Sequence, residues 1–448
     1  MVRTVKRSER SALGAVVVAV TVFAGIPGSG ASTADVTRPV GGTFSFRPWV
    51  SANGRYVAFD SSAVLARGAA KGVRNIYVYD RQTSRLSLVS VGLKGTPSDG
   101  DSQRPTLSAD GRYVAFWSAA DNLVQGDTNG VTDAFVADRL TGTTIRVSVG
   151  PDGRQANGAS ARPVISGDGV LVAFESAASN LLPDGVLGRQ ADTNGVRDVF
   201  VYNRSTQTTT RVSVASDGRQ GTGESVRPSI SADGRFVAFQ TQSAFASDDT
   251  NDKTDAYVHD LSTGATERVS QGSGGAQASG SSFSPSLSAD GRFVAYWSNA
   301  ADLVAGDTNG TADVFVTDRV TGRTERVSVG PGGREADGLS SDPSISPDGR
   351  YVAFWSEATN LVAGDTNGKR DVFVADRVAH TTTRVSVASD GSQSNGDSYS
   401  PCVALTDDGR VLVAFDSAAT NLTPGRSDTN KSSAVFLHVA DDPPKPGS

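Results

Sequence analysis

The sequence predicts an all-β protein, a seven-bladed β-propeller of four-stranded antiparallel blades, and three observations carry that prediction. The stretch PTLSADGRYVAFWSAADNLVQGDTNGVTDAFVADRLTGTTIRVSVG recurs with variations from Pro48, Pro105, Pro163, Pro228, Pro285, Pro343 and Pro401. Those prolines lie 57, 58, 65, 57, 58 and 58 residues apart, and a fixed period of this size marks an array of supersecondary units. Within each unit, apolar and polar residues alternate in four short runs bounded by glycine-containing turns, and nothing in the unit suggests a helix.

Taken in order, residues 1–31 read as a secretory signal: Arg3, Lys6, Arg7 and Arg10 precede the apolar stretch Ala12–Ile26, and small residues follow. Residues 34–440 form the propeller. The Pro-rich segment 441–448 reads as a disordered tail. In the unit that starts at Pro105, the expected strands are Pro105–Ser108, Arg112–Ser118, Asp133–Asp138 and Thr144–Val149. The turns Ala109-Asp110-Gly111 and Thr141-Gly142 join the first to the second and the third to the fourth. The long loop Ala119–Thr132 joins the second to the third. The last unit supplies three strands only, Pro401–Leu405, Arg410–Asp416 and Ala434–Val439. The segment Ala34–Gly41, whose TRPVG matches TRVSVG, is expected to complete that blade and close the ring.

The residues also resemble a known family. SADGRYVAF, SPDGRYVAF and the DVFVADR that follows are similar to the repeat of TolB-like propellers, also called WD40-like or PD40 repeats. The resemblance spans about residues 34–440 and implies the propeller fold while leaving function open. TolB itself is expected to carry an additional N-terminal α/β domain, and peptidases with similar propellers a hydrolase domain, which this sequence does not show.

Composition narrows the function classes. Without residues 1–31 the chain has 38 basic and 47 acidic side chains, a net charge near −9, which argues against nucleic acid and anionic membranes as partners. A single cysteine, Cys402, excludes an intrachain disulfide and a Cys-based zinc cluster and reads as a buried strand residue. The three histidines, His259, His380 and His438, fall in different blades, so neither a triad nor a His-built metal site is expected.

In a meander the short turns share one face of the ring and the long loops the other, and binding belongs with long loops on a rigid scaffold. On that face a D-T-N-[GD]-x-x-D motif recurs: Asp127/Asn129/Asp133, Asp192/Asn194/Asp198, Asp249/Asn251/Asp255, Asp307/Asn309/Asp313 and Asp365/Asn367/Asp371. Two expectations attach to it. The oxygens at positions 1, 3 and 7 suit a hard cation such as calcium, or they cap local main-chain N–H groups as Asx turns. A second feature is the residue before each proline: Arg47, Arg104, Arg162 and Arg227, then Ser284, Asp342 and Ser400. If the first strand lines the channel, four arginines ring its mouth, ready for an anionic group or a partner's carboxylate; the plainer reading pairs them with loop aspartates. Trp117, Trp297 and Trp355 end second strands where other blades have Asp60, Glu175, Gln240 and Asp416, and packing between blades is expected of them. The Asp-Arg pairs Asp80-Arg81, Asp138-Arg139, Asp318-Arg319 and Asp376-Arg377 are expected in turn and inter-blade ion pairs.

The expectation is therefore a secreted, monomeric, non-enzymatic scaffold that binds a protein or peptide. A polysaccharide hydrolase or lyase, and a calcium-dependent adhesive protein, are the competing readings.

Overall fold

The computed structural model describes residues 32–35, 44–183, 192–423 and 432–440 of the 448. It contains seven four-stranded antiparallel sheets arranged as a propeller, as the repeat predicts. The expected signal and tail lie outside the described residues, as do residues 184–191 and 424–431.

Blade 2 shows the pattern. Its strands are Ser102–Leu107, Tyr113–Ser118, Asp133–Asp138 and Thr143–Arg146, each hydrogen-bonded to the next. The second and third match the expectation closely. The first begins three residues before Pro105, because the proline does not open the strand. It occupies a β-bulge in the middle of it, where a missing N–H costs the ladder nothing. The register shifts at this point in all seven blades.

The third strands are buried along their length, NIYVYD in blade 1 and DAFVAD in blade 2 among them, because each blade is packed on both faces by its neighbours. Seven apolar clusters fill the seven seams. Ala58, Ile76 and Val78 of blade 1, for example, meet Leu107, Val114 and Phe116 of blade 2. The ring closes with the same chemistry: Ala404, Leu412 and Leu437 of the last blade pack on Val57, Phe59 and Tyr77 of the first. Stacked cross-strand rings, such as Phe116 and Phe135 at 5.9 Å, recur in these cores, each pair contributing about 0.5–1.5 kcal/mol beyond its buried area. Ser32–Asp35 lies antiparallel to Ala434–Val439, with Ala34 opposite Leu437. Residues 36–41 of the segment expected there lie outside the described residues.

On the short-turn face, the Arg of each ADGR turn grips the Asp after strand three through two bonds, Arg112 to Asp138 at 3.0 and 2.7 Å. The pair is thus within one blade. The following arginine makes the inter-blade contact, Arg139 lying 4.4 Å over the Tyr56 ring of blade 1. Gly111 is required here: its φ is +69°, and a Cβ would lie 2.2 Å from the Tyr56 ring.

Candidate functional site

The first strands line a central channel with a cavity of about 250 Å³, walled by the seven residue-proline-residue triplets. The residue before each proline adopts a left-handed backbone, φ 54° at Arg47, 51° at Arg104, 50° at Arg162, 55° at Arg227, 51° at Ser284, 46° at Asp342 and 51° at Ser400. A non-glycine residue in this region stores strain of about 1–3 kcal/mol. Repeated around the ring, it re-aims each of these side chains into the channel. At the short-turn end, neighbouring blades are drawn together by main-chain bonds: Ala109 N to Gly167 O, Gly167 N to Ala232 O, Ala232 N to Ala289 O and Ala289 N to Pro347 O, each 2.9 Å.

The residue that ends the second strand supports the bulge of the next blade. Asp416 accepts from Arg47 N at 3.3 Å, Asp60 from Arg104 N at 3.2 Å, Glu175 from Arg227 N at 2.8 Å and Gln240 from Ser284 N at 2.8 Å. The sequence shows these four only as polar residues standing where other blades have tryptophan. Their work across the seam depends on the next blade, so no local pattern announces it. Burial pushes the Asp60 carboxyl up to about 6 and raises that of Asp416.

The four predicted arginines do come together, at the third position of the inner strands of blades 1 to 4, and the partners of Arg47, Arg162 and Arg227 are not aspartates of the loops. Arg47 donates to Gln103 Oε1 at 3.0 Å, and Arg162 lies 3.4 Å from Glu175. Arg227 donates to Ser284 Oγ at 2.7 Å and pairs with Asp342 at 3.4 Å. Among the described residues the Arg104 guanidinium has no hydrogen-bond or ion-pair partner. Burial, then the nearby Arg162, Arg47 and Arg227, hold it well below its usual value, at about 9. The arc is therefore a confined, self-repelling cluster of cations, a field that favours an incoming anion.

The DTN loops are a different construction. Asn129 Oδ1 accepts from Val131 N at 3.3 Å, and its Nδ2 donates to Asp133 at 2.8 Å and to Ala156 O of the loop leading to blade 3 at 3.1 Å. Asn194, Asn309 and Asn367 repeat this; Asn251 keeps only the bond to the next loop, Ala278 O at 2.7 Å, and its own turn. Between the two aspartates of each set sits an arginine from strand four. Arg146 is 2.8 Å from Asp127 and 3.5 Å from Asp133, and Arg326 is 3.2 and 3.4 Å from Asp307 and Asp313. Arg384 is 2.9 and 3.6 Å from Asp365 and Asp371, and Arg211 is 3.6 and 3.8 Å from Asp192 and Asp198. In blade 4, Arg268 turns to Asp248 and Asp249, and burial pushes Asp255 up to about 6. A guanidinium thus lies within 4 Å of both aspartates in four of the five sets, and the described residues hold no cluster of three or more His, Cys, Asp or Glu side chains placed for a metal ion.

The histidines stay apart: His259 is buried against Thr266 at 2.8 Å, His380 lies in a turn of blade 6, and His438 is buried in blade 7. Cys402 is buried on the channel wall, its Sγ accepting from Val50 N at 3.4 Å, and burial pushes the thiol up to about 11. Trp355 lies half-buried against Tyr399 of the next blade, packing between blades as expected, whereas Trp297 stacks on Phe283 of its own blade. No helix among the described residues is long and apolar enough to cross a membrane.

No family model matches the chain, and no curated protein does. Among solved structures it is similar to an oligogalacturonate lyase in complex with manganese, at 13% identity over 92% of this chain and 93% of that one, with a TM-score of 0.53. An acylaminoacyl peptidase from Pyrococcus horikoshii is 10% identical over 90% of this chain and 52% of its own, TM-score 0.49. A putative TolB from Agrobacterium tumefaciens is 15% identical over 74% and 90%, TM-score 0.39. All of these likenesses lie at 15% identity or below, and that to the lyase bears on the fold alone.

Proposed function

We propose that this protein is a secreted, non-enzymatic propeller that binds a protein or peptide partner through its long-loop face and central channel. The observation that carries the reading is the arginine arc. Elsewhere the recurring charges are matched within or between blades, whereas the channel presents four cations converging on one cavity. Asp342, the carboxylate on the channel wall, is held by Arg227 at 3.4 Å and by the Trp355 indole N–H at 3.3 Å, and the carboxylates behind the wall support a binding role over a catalytic one. Asp60, Glu175 and Asp416 are buried and hold main-chain N–H groups of the bulges, so they serve the scaffold and are not free to trade protons with a substrate.

The test is crosslinking of the full secreted chain to the envelope and secreted fractions of its source cells. Arg104→Glu should abolish the crosslinked partner, while Val320→Glu, on an exposed short-turn tip, should retain it. Equal capture by both variants rejects the channel face as the binding surface. Turnover of a polysaccharide by the wild-type chain would favour the hydrolase or lyase reading instead.

A further inference from the structure

Three blades carry tryptophan at the end of strand two, 13 residues after the channel residue of the same blade, and they are not equivalent. In blade 5 the Trp297 indole N–H donates to Ser284 Oγ at 3.4 Å. In blade 6 Trp355 donates to Asp342 Oδ2 at 3.3 Å. In blade 2 the corresponding channel residue is Arg104, which has only donors to offer. The Trp117 Nε1 is accordingly buried without a hydrogen-bond partner. Buried donors without a partner also occur at Nε of Arg146, Arg326 and Arg384, but the Trp117 N–H stands apart because its counterparts in blades 5 and 6 find acceptors.

The neighbouring groups cannot supply the missing acceptor. Gln103, directly opposite Trp117 in the sheet, already gives its Oε1 to Arg47 at 3.0 Å and to Arg74 at 3.2 Å. Asp60 Oδ1 is held by Arg104 N, and its Oδ2, 3.7 Å from Arg74, is itself buried without a hydrogen-bond partner and does not meet the indole. Being a donor only, Trp117 also gives blade 3 none of the support that Asp60, Glu175, Gln240 and Asp416 give the blades after them. The Arg104 guanidinium thus stands unpaired on the channel wall with Arg162 and Arg47 alongside, and the unpaired Trp117 indole N–H of the same blade is buried off the cavity lining. Blade 2 lacks the acceptor that blades 5 and 6 place 13 residues before the tryptophan.

We propose that blade 2 holds an oxyanion-binding site, in which a ligand carboxylate accepts from the Trp117 indole N–H and the Arg104 guanidinium. The ligand takes the place that Ser284 and Asp342 fill in blades 5 and 6. Arginine's planar fork matches a carboxylate with two parallel bonds, and a third donor at the side fixes its plane. A cavity of about 250 Å³ walled by seven prolines admits an acidic side chain, a chain end or a small dicarboxylic acid. It is smaller than the roughly 300–1,000 Å³ pockets that enclose a whole larger ligand. This inference rests on the reading of the channel as a binding site, and it names the chemistry recognised there.

Trp49 lines the channel, and the indoles of Trp297 and Trp355 donate to its wall residues Ser284 and Asp342, so intrinsic fluorescence reports on it. The experiment titrates the full chain with succinate, and separately with an aspartate-rich peptide, at constant ionic strength. Wild type, Trp117→Phe, Arg104→Gln and the control Trp355→Phe are compared, with circular dichroism to establish that each variant is folded. A saturable signal is expected that weakens about tenfold to a hundredfold in Arg104→Gln, as loss of a charged hydrogen bond implies. It should weaken less in Trp117→Phe and stay unchanged in Trp355→Phe. Succinate binding alone assigns the site to a free acid, and peptide binding alone to a chain-borne carboxylate. No binding by either probe, or binding indifferent to Arg104→Gln and Trp117→Phe, overturns the site. Partner crosslinking that survives in that case leaves the scaffold reading intact. Succinate binding without any crosslinked partner rejects the scaffold reading and keeps the oxyanion site.

Discussion

The DTN loops and the central channel are both crowded with charge, and they resolve it in opposite ways. In the loops, each pair of buried aspartates has its own guanidinium from strand four, and the arrangement recurs from blade 2 to blade 6 with one variation in blade 4. In the channel, arginines stand on blades 1 to 4 only, and Arg104 is left without a partner among the described residues. Repetition goes with a local counter-ion in each blade, since every blade faces the same folding problem. Where the repetition breaks, we propose that a ligand completes the arrangement.

The sharpest way to break this comparison is to open a closed loop. Arg326 is 8% exposed on its side chain and holds Asp307 and Asp313. Arg326→Ala leaves two buried carboxylates facing each other and should cost about 3–5 kcal/mol, read as a lower melting temperature. The wild-type melting temperature should be the same with calcium as with a chelator. A rise of several degrees with calcium, lost in Asp307→Ala and Asp313→Ala, would make these loops cation sites after all.

A second effect comes from the buried acids. Asp60, Asp255 and Asp371 titrate at about 6 in the folded chain, pushed up chiefly by burial, against about 3.9 when unfolded. Between those values the folded state binds more protons, so these groups take stability away as pH rises from about 4 to 6. Asp80, Asp138 and Asp318, held at about 2 chiefly by their bonds to Arg55, Arg112 and Arg292, act the other way. Their contribution is complete above the unfolded value and fades as pH falls from about 4 to 2. Melting temperature against pH should therefore peak near pH 4–5. Asp60→Asn keeps the acceptor for Arg104 N and should flatten the neutral limb, by on the order of 2–3 kcal/mol.

Ring closure gives a smaller effect. Removing residues 32–43 deletes the pairing with Ala434–Val439 but leaves the apolar seam between the last and first blades. A loss of about 2 kcal/mol is expected from the few main-chain bonds involved, with unfolding still in one transition by calorimetry. The smallest effect belongs to Glu335→Gln. Glu335 binds Thr308 and Arg326 as Gln155, Gln220, Gln277 and Gln393 serve their own loops. The change restores the repeat and should leave the melting temperature nearly unmoved at neutral pH.

How much of this was legible varied with distance along the chain. The blades were, because strands, turns and their order are set within 57 to 65 residues that repeat. Pro105 was misleading: it reads as the start of a strand and sits in the bulge of one, since only the sheet shows where a missing N–H is tolerated. The four arginines stood out because they recur before the blade prolines and give way to Ser284, Asp342 and Ser400 in the last three blades. The aspartates of the loops stood out as well, but the arginine that closes them comes 19 residues later, on another strand, inside a TRVSV run that looks like ordinary strand sequence.

By itself the sequence determined a propeller of seven blades, which residues face its channel, and which of them depart from the repeat, because periodicity is a property of the chain. Only the tertiary structure decided which donors find acceptors. Trp117, Trp297 and Trp355 read alike in sequence. They differ because each indole meets a different side chain across the bulge, Arg104, Ser284 or Asp342, and an arginine cannot accept what a serine or an aspartate can.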